Sequence, residues 1–308
     1  GDEKAAWAAE TLYESLHHKI LRLGDGVLVC PAHGAGSVCG SEISALEYTT
    51  VGFEKETNPL LSLDRSGFVK RKVHEQHYMP PYFKMMEKMN QEGAPVLSHI
   101  PDLNAYSSQE FADRRKDGVQ VVDLRSPTSF GGGHIPGSVS LWRDGIPSFA
   151  GWFLNYEEPI LIVDDFNLDL TQVIRHFLRL GYDNIEGYLA GGFMNWCKAG
   201  GPIESLDSLS VFDLHDSLEK GKLFLLDVRD INNRQKVGYI LGSRHIYVGE
   251  LPARLGELPR THRIAIYCDA GYKGCLAASL LQRAGFTSVA NILGGMTAWQ
   301  KAGFAVEK

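Results

Sequence analysis

The sequence predicts an α/β protein built on parallel β-sheets. Short runs of β-branched and apolar residues alternate with helical patterns along the last two thirds of the chain. This alternation is typical of parallel sheets that helices cover on both faces. The same order of strands and helices occurs twice, so this region is predicted to hold two copies of one domain. With 308 residues the chain has room for two or three domains.

Five sequence blocks recur in the same order at nearly constant spacing. Asp123-Leu-Arg125 is matched by Asp227-Val-Arg229, 104 positions later. The other pairs of blocks are 133–138 with 238–243, 160–163 with 264–267, 180–182 with 284–286, and 191–200 with 294–303. Because the order is kept and the offset stays between 103 and 105, the repeat indicates a duplicated domain of roughly 100 residues.

Each copy is predicted to contain equivalent elements. Those of the first copy are a helix from Ser107, where Glu110 completes a capping-box pattern, to about Gly118, strands at 119–124 and 160–163, and a helix over 170–180 closed by Gly181. Those of the second copy are a helix from Ser210 to Gly221, strands at 223–228 and 264–267, and a helix that ends at Ala284. Ligands of such sheets bind at the carboxyl ends of the strands, so functional residues are expected there.

The first hundred residues carry a different pattern. Apolar residues at helical spacing predict an amphipathic helix over 4–23, and 27–30 is predicted as a short strand. A Gly-rich loop with His33 and Cys39 follows. Helical sequence then continues, interrupted by the Pro-Pro pair at 80–81, to a boundary at 90–95 that contains Gly and Pro.

The composition of the chain bears on which partners it binds and in which compartment it is found. Lys and Arg number 31 against 37 Asp and Glu, a net charge of −6, so nucleic acid and anionic membranes are not expected partners. No apolar run approaches the ~20 residues of a membrane span. Five cysteines are an odd number and too few for a disulfide scaffold, which favours reduced thiols and a cytoplasmic location.

One cysteine stands at a position suited to chemistry. Cys268 directly follows the predicted strand 264–267 and precedes the short loop 269–274, which leads into a helix. Loop N–H groups and the helix dipole favour an anion there, so they would stabilise a thiolate or a persulfide. Lys273 would add a positive charge near an anionic donor. A buried, inert cysteine is the alternative.

Together, these motifs resemble the rhodanese (sulfurtransferase) domain. The resemblance rests on Asp-x-Arg, Gly-His-Ile-Pro-Gly-Ser, strand-Cys-x-x-Gly-x-Lys and Gly-Gly-x-x-x-Trp, and it covers both copies. It implies that Cys268 accepts sulfane sulfur as a persulfide and passes it to a nucleophile, without a cofactor. The substrate-binding loop would comprise Asp269, Ala270, Gly271, Tyr272, Lys273 and Gly274. Lys273 takes the position that is often Arg in the family, and Arg alone offers a planar fork for a sulfonate.

The first copy lacks the nucleophile. Asp164 stands at the position equivalent to Cys268, with Asp165 and Asp169 close by in sequence. A carboxylate cannot carry a persulfide, and three aspartates would repel an anionic donor, so this copy is predicted to be a degenerate, inactive site. Rhodanese-fold phosphatases carry a Cys-x5-Arg motif, in which the Arg binds phosphate through two hydrogen bonds. Position six after Cys268 is Gly274, so the sequence disfavours phosphatase activity.

The N-terminal region resembles another fold. Its strand-Pro-Ala-His33-Gly-Ala-Gly-Ser loop, with Asn58-Pro-Leu and Pro80-Pro-Tyr-Phe, is similar to the C-terminal part of a metallo-β-lactamase domain in persulfide dioxygenases fused to rhodanese domains. Members of that family carry a His-x-His-x-Asp-His motif and bind one iron through two His and one Asp. This sequence lacks the motif. His33 matches a second-metal position, so we expect it to be a remnant. No metal site is predicted in this chain, and iron is expected only in an intact parent protein.

The resemblance implies three domains. They are a partial metallo-β-lactamase-like region at 1–97, an inactive rhodanese-like domain at 98–205 and an active one at 206–308. The expected function is sulfur transfer through Cys268 between thiosulfate or low-molecular-weight persulfides and thiol or sulfite acceptors. Two alternatives remain open: non-catalytic docking modules, and a metallo-β-lactamase-fold hydrolase whose metal ligands lie outside this chain. A homo-oligomer also remains open.

Overall fold

The computed structural model describes residues 2–32, 46–75, 78–97, 99–166, 169–221 and 223–308. The chain divides into two compact units, Gly1–Tyr78 and Met79–Lys308. The Gly-rich loop with His33 and Cys39 lies outside the described residues. Across the described ranges, no helix is long and apolar enough to cross a membrane.

The first unit contains short helices and a small antiparallel sheet. Its described elements are α1 (Asp2–Ser15), β1 (Leu28–Val29), β2 (Thr49–Thr50), α2 (Val51–Thr57) and α3 (Arg65–Val73). Helices α1 and α3 pack together, and the buried Phe68 meets the Tyr13 ring edge-on at 5.4 Å. The α-helical part is shorter than the predicted 4–23, because a π-helical turn, Leu16–Ile20, follows α1.

The second unit contains both copies of the repeat. The elements of the first copy and its approach are α4 (Phe83–Glu92), β3 (Asn104–Tyr106), α5 (Ser108–Arg114), β4 (Gln120–Asp123), α6 (Pro127–Gly132), β5 (Val139–Ser140), α7 (Ile146–Phe153), β6 (Ile160–Val163), α8 (Thr171–Arg179), β7 (Ile185–Leu189) and α9 (Gly192–Lys198). Those of the second copy are β8 (Asp207–Leu209), α10 (Val211–Glu219), β9 (Leu223–Asp227), α11 (Ile231–Val237), β10 (Arg244–His245), a 3-10 segment (Val248–Glu257), β11 (Arg263–Tyr267), α12 (Tyr272–Arg283), β12 (Val289–Ile292) and α13 (Gly295–Lys301).

Each copy forms a five-stranded parallel sheet. The strand orders are β5-β4-β6-β7-β3 and β10-β9-β11-β12-β8, which are equivalent strand by strand. The predicted duplication and the parallel α/β fold are therefore confirmed. The central strands, β6 and β11, are paired with a strand along each edge. Their side chains are buried because helices cover both faces of a parallel sheet.

Local signals in the sequence place the helix ends correctly. Ser107 and Glu110 form the predicted capping box, and Ser210 forms the same box with Asp213. Gly118 follows its helix with φ +75°, a left-handed conformation that glycine adopts without steric cost.

Helix α12 lies between the two copies. Its described contacts include β11 and β12 of its own domain and β5 and α6 of the first copy. The residues buried along it are Gly274, Cys275, Leu276, Ala277, Ala278, Ser279 and Leu281. Because this helix begins at the Cys268 loop, the first copy supports the element on which the candidate site is built.

The second compact unit begins before the predicted first domain ends. Tyr82 is buried in the core that contains the first sheet, and a Cβ on Gly151 would lie 2.3 Å from the Tyr82 ring. The region from Met79 onwards therefore packs with the two copies of the repeat. The domain limits at 97/98 and 205/206 stay predictions.

Candidate active site

Cys268 lies at the carboxyl end of the central strand of the second sheet. Strand β11 ends at Tyr267, between β9 and β12, and the loop after Cys268 turns at once into α12. The thiol is therefore at the edge of a parallel sheet where ligands bind, in front of a helix N-terminus.

A glycine places a backbone donor at the sulfur. The Gly271 N–H donates to Cys268 Sγ at 3.1 Å. Gly271 has φ +99°, a conformation that favours glycine. Its carbonyl accepts a 3.0 Å hydrogen bond from Asn291 Nδ2 on β12, and Asn291 is fully buried. The side chain of Asn291 thus fixes the turn that directs this N–H to the thiol.

The other end of the loop is fixed by the backbone of α13. The Met296 N–H donates to the Cys268 carbonyl at 2.8 Å, and the Thr297 N–H donates to the Asp269 carbonyl at 3.0 Å. A Cβ on Gly295 would lie 2.2 Å from the Cys268 carbonyl, so only glycine fits there. The Gly-Gly pair of the repeat therefore holds the cysteine loop in place.

The sulfur of the candidate nucleophile is buried. Cys268 is 1% exposed and joins the apolar core. Ala270 and Tyr272 are exposed, whereas Gly271 and Gly274 are buried. A donor that reaches the sulfur must therefore approach past the side chains of the loop.

Lys273 is not a free cation. Its Nζ lies 2.7 Å from Asp269 Oδ2, and Asn233 Nδ2 of α11 donates to the other oxygen of this carboxylate. The positive charge expected from Lys273 is present at the loop, but it is paired with a carboxylate. A neighbour within the same loop neutralises it.

The Asp-x-Arg motif supports the strand that carries the cysteine. Asp227 and Arg229 form a buried ion pair of 2.7 Å, and Arg229 also donates to the Gly238 carbonyl. The Tyr267 hydroxyl donates to Asp227 Oδ2 at 2.9 Å. Burial and the charge of Asp227 raise the pKa of Tyr267, so it stays protonated as a donor.

The first copy contributes an aromatic side chain beside the loop. The Trp142 ring, just after β5, lies 5.0 Å from the Tyr272 ring. The Trp142 ring also lies 5.4 Å from that of Phe149. Trp142 was not predicted from the sequence, because contacts between the two copies leave no local pattern. Asn291 was not predicted either, although a polar residue inside an apolar strand is a usable signal.

The degenerate site of the first copy is electrostatically balanced. Asp164 forms an ion pair with Arg143, and Asp165 lies 3.7 Å from Arg125. Asp169 accepts hydrogen bonds from the Thr171 N–H and hydroxyl. The predicted repulsion of anions is therefore weakened by these partners. A carboxylate still occupies the position of the sulfur.

The described residues do not fit a metal site. Within the described ranges, no group of three or more His, Cys, Asp or Glu side chains could hold a metal ion. His74 caps the end of α3, and its Nδ1 bonds to the Lys70 carbonyl. His33 and His77 lie outside the described residues.

Comparison with known families identifies the duplicated region. The family model described as the rhodanese-like domain matches residues 107–199 and 210–302. The chain belongs to the rhodanese-like domain family. Each match contains four of the five strands of one parallel sheet, all but the edge strands β3 and β8, and the predicted resemblance is confirmed.

The relatives of the chain include a thiosulfate sulfurtransferase and a candidate sulfur carrier protein. It is 30% identical over 81 residues to thiosulfate sulfurtransferase GlpE of Shewanella oneidensis, covering 26% of this chain and 78% of that protein. It is 29% identical over 129 residues to the candidate sulfur carrier protein YrkF of Bacillus subtilis, covering 42% of this chain and 62% of that protein.

A similar solved structure supports the second predicted fold, that of a metallo-β-lactamase. The crystal structure of a metallo-beta-lactamase from Staphylococcus aureus subsp. aureus COL is 31% identical, with a TM-score of 0.51, over 60% of this chain and 50% of that chain. The present chain thus spans half the length of that protein. The combination of similarities is consistent with a protein that joins metallo-β-lactamase and rhodanese-like domains.

Proposed function

We propose that this chain is a sulfurtransferase whose second rhodanese-like domain moves sulfane sulfur through Cys268. One observation carries the proposal: Cys268 ends the central strand, and the Gly271 N–H at the start of α12 donates to its sulfur. A thiolate or persulfide at this point would gain from that donor and from the helix dipole. The similarity to thiosulfate sulfurtransferases supports the same chemistry.

The reaction has two balanced steps. In the first, the Cys268 thiolate attacks the outer sulfur of the donor. The donor S–S bond breaks, and its electron pair leaves with sulfite, from thiosulfate, or with a thiolate, from an organic persulfide. Cys268 is left as Cys–S–S⁻. In the second, a thiolate or sulfite attacks the outer sulfur, and the Cys268 thiolate leaves with the bonding pair.

The fusion proposed for the parent protein adds an oxidation. There, a persulfide dioxygenase activity would convert low-molecular-weight persulfides to sulfite, and sulfur exchange at Cys268 would use the same pool of compounds. The described residues do not fit an iron site, so no step proposed for this chain involves iron. We assign the sulfurtransferase to the cytoplasm, where thiols stay reduced, with small-molecule partners.

Replacement of the nucleophile tests the proposal. Cys268→Ser should lower sulfur transfer from thiosulfate and from an organic persulfide by roughly a thousandfold or more, because serine forms no persulfide. Mass spectrometry of the wild-type protein after donor treatment should show one added sulfur atom on the peptide that contains Cys268. The exposed Cys30 gives a matched control, and Cys30→Ser should transfer sulfur at the wild-type rate. Retained transfer by Cys268→Ser would refute the assignment.

A further inference from the structure

The residue after the nucleophile neutralises the cation of the loop. Asp269 Oδ2 lies 2.7 Å from Lys273 Nζ, and the two side chains are 34% and 17% exposed. Because the pair is partly withdrawn from water, it is screened less than a surface pair. Both side chains are anchored in the loop that surrounds Cys268.

Asn233 keeps the carboxylate in this position. Its Nδ2 on α11 donates to Asp269 Oδ1, while Oδ2 faces Lys273. Asn233 is itself fixed, because its N–H donates at 2.8 Å to the side chain of Asp230, the N-cap of α11. The Asp269 carboxylate is therefore held from both sides, with one oxygen on Asn233 and the other on Lys273.

The arginines of the same sheet edge also face a carboxylate. Arg229 is fully buried against Asp227, and Arg234 Nε lies 3.4 Å from the same carboxylate. The guanidinium of Arg234 packs on the Tyr239 ring at 3.7 Å. Among these side chains three cations, Lys273 included, therefore face the two carboxylates of Asp227 and Asp269, which leaves one positive charge to balance one negative charge on a donor.

Two aromatic side chains, Trp142 and Tyr272, lie in contact at this loop. The half-buried Trp142 contacts the exposed Tyr272, the residue between Gly271 and Lys273. Aromatic faces of this kind favour the carbon chain of an organic compound and gain little from a small inorganic dianion. Charge and surface therefore point to the same class of donor.

Resting on the sulfurtransferase function proposed above, we propose that Asp269 selects the donor by neutralising Lys273, so that the site prefers organic persulfides to thiosulfate. An organic persulfide, R–S–S⁻, brings one negative charge to the reacting end and releases a thiolate. Thiosulfate brings two charges and releases sulfite as a dianion. The site therefore balances the single negative charge of an organic persulfide better than the two negative charges of thiosulfate.

Removal of the carboxylate charge tests the proposal in the full chain. Asp269→Asn frees Lys273, so the ratio of kcat/KM for thiosulfate to kcat/KM for the persulfide of 2-mercaptoethanol should rise about tenfold. Adding Lys273→Met to this variant should abolish the gain. Asp269→Glu, which keeps the charge, should stay near the wild-type ratio. Asp216→Asn is a matched control, because Asp216 is 71% exposed on α10 and carries the same change of charge.

The outcomes separate this inference from the function on which it rests. A wild-type chain that transfers no sulfur from either donor would overturn the sulfurtransferase itself. Active, folded Asp269→Asn with an unchanged ratio, or with both donors slowed equally, would overturn donor selection by Asp269. If the ratio of kcat/KM stays raised after Lys273→Met is added to Asp269→Asn, a group other than Lys273 causes the rise, which would also overturn the proposal. Asp269→Ser repeats the measurement if Asp269→Asn does not fold.

Discussion

Cys268 and Cys275 are two buried thiols of the same domain with different partners. Cys268 accepts a hydrogen bond from a backbone N–H at the sheet edge. Cys275 lies on α12 against the first copy, where Ser140 Oγ donates to its sulfur at 3.3 Å. Burial raises the pKa of the Cys275 thiol to about 12. This environment favours a packing role for Cys275 and disfavours a resolving thiol.

Alkylation of the native protein tests the environment assigned to Cys275. With iodoacetamide at pH 7.4, Cys275 should stay unmodified, since the thiolate is the reactive form and burial keeps the thiol protonated. The exposed Cys30 is the internal control and should react readily. Cys275 should react only after denaturant is added, as followed by peptide mass spectrometry. Modification of Cys275 as fast as that of Cys30 in the native state would contradict the assigned environment.

At the scale of elements, the first turn of α12 fits closely against β12. A Cβ on Gly274 would lie 2.3 Å from Asn291 Oδ1 and 3.3 Å from the Ile266 carbonyl. Asn291 cannot move away without cost, because its Nδ2 holds the Gly271 carbonyl. The glycine therefore allows helix and strand to approach closely enough to form the loop.

Gly274→Ala should consequently weaken both stability and the site. We expect a loss of about 1–3 kcal/mol in the free energy of unfolding, measured with urea, because the added methyl group overpacks this contact. Gly256→Ala is the matched control: Gly256 has no atom within 4 Å of an added Cβ and should lose little. Equal stability of the two variants would show that α12 can shift freely.

At the scale of the molecule, the inactive copy contributes to the active one. The Ser140 N–H of β5 donates to Ser279 Oγ of α12 at 3.1 Å, and both residues are buried. On the next part of the interface, a Cβ on Gly249 would lie 2.7 Å from the Trp152 ring of α7. The lost nucleophile at Asp164 thus leaves the first copy with a structural role.

This interface should make the two copies unfold together. Ser279→Ala leaves the buried Ser140 N–H without its acceptor, which costs about 1–3 kcal/mol, and should lower the Tm of the whole Met79–Lys308 unit. Scanning calorimetry should show one transition for this unit in both proteins. Ser217→Ala, at an exposed hydroxyl on α10, is the control and should leave the Tm unchanged. Separate transitions for the two copies would contradict the coupling.

The sequence by itself determined the duplicated parallel α/β fold and the place of Cys268. Strand patterns, glycine stops and capping boxes are local, so they locate the ends of β11 and α12 within about two residues. The offset between the copies likewise identified Asp164 as the degenerate equivalent.

Only the tertiary structure decided how the charge of Lys273 is paired and which side chains line the site. The pairing of Lys273 with Asp269 depends on side-chain geometry and on Asn233 from another helix. The contact of Trp142 with Tyr272 joins residues that are far apart in sequence. Ion pairs and ring contacts of this kind follow from how elements pack in space, and residue order does not specify them.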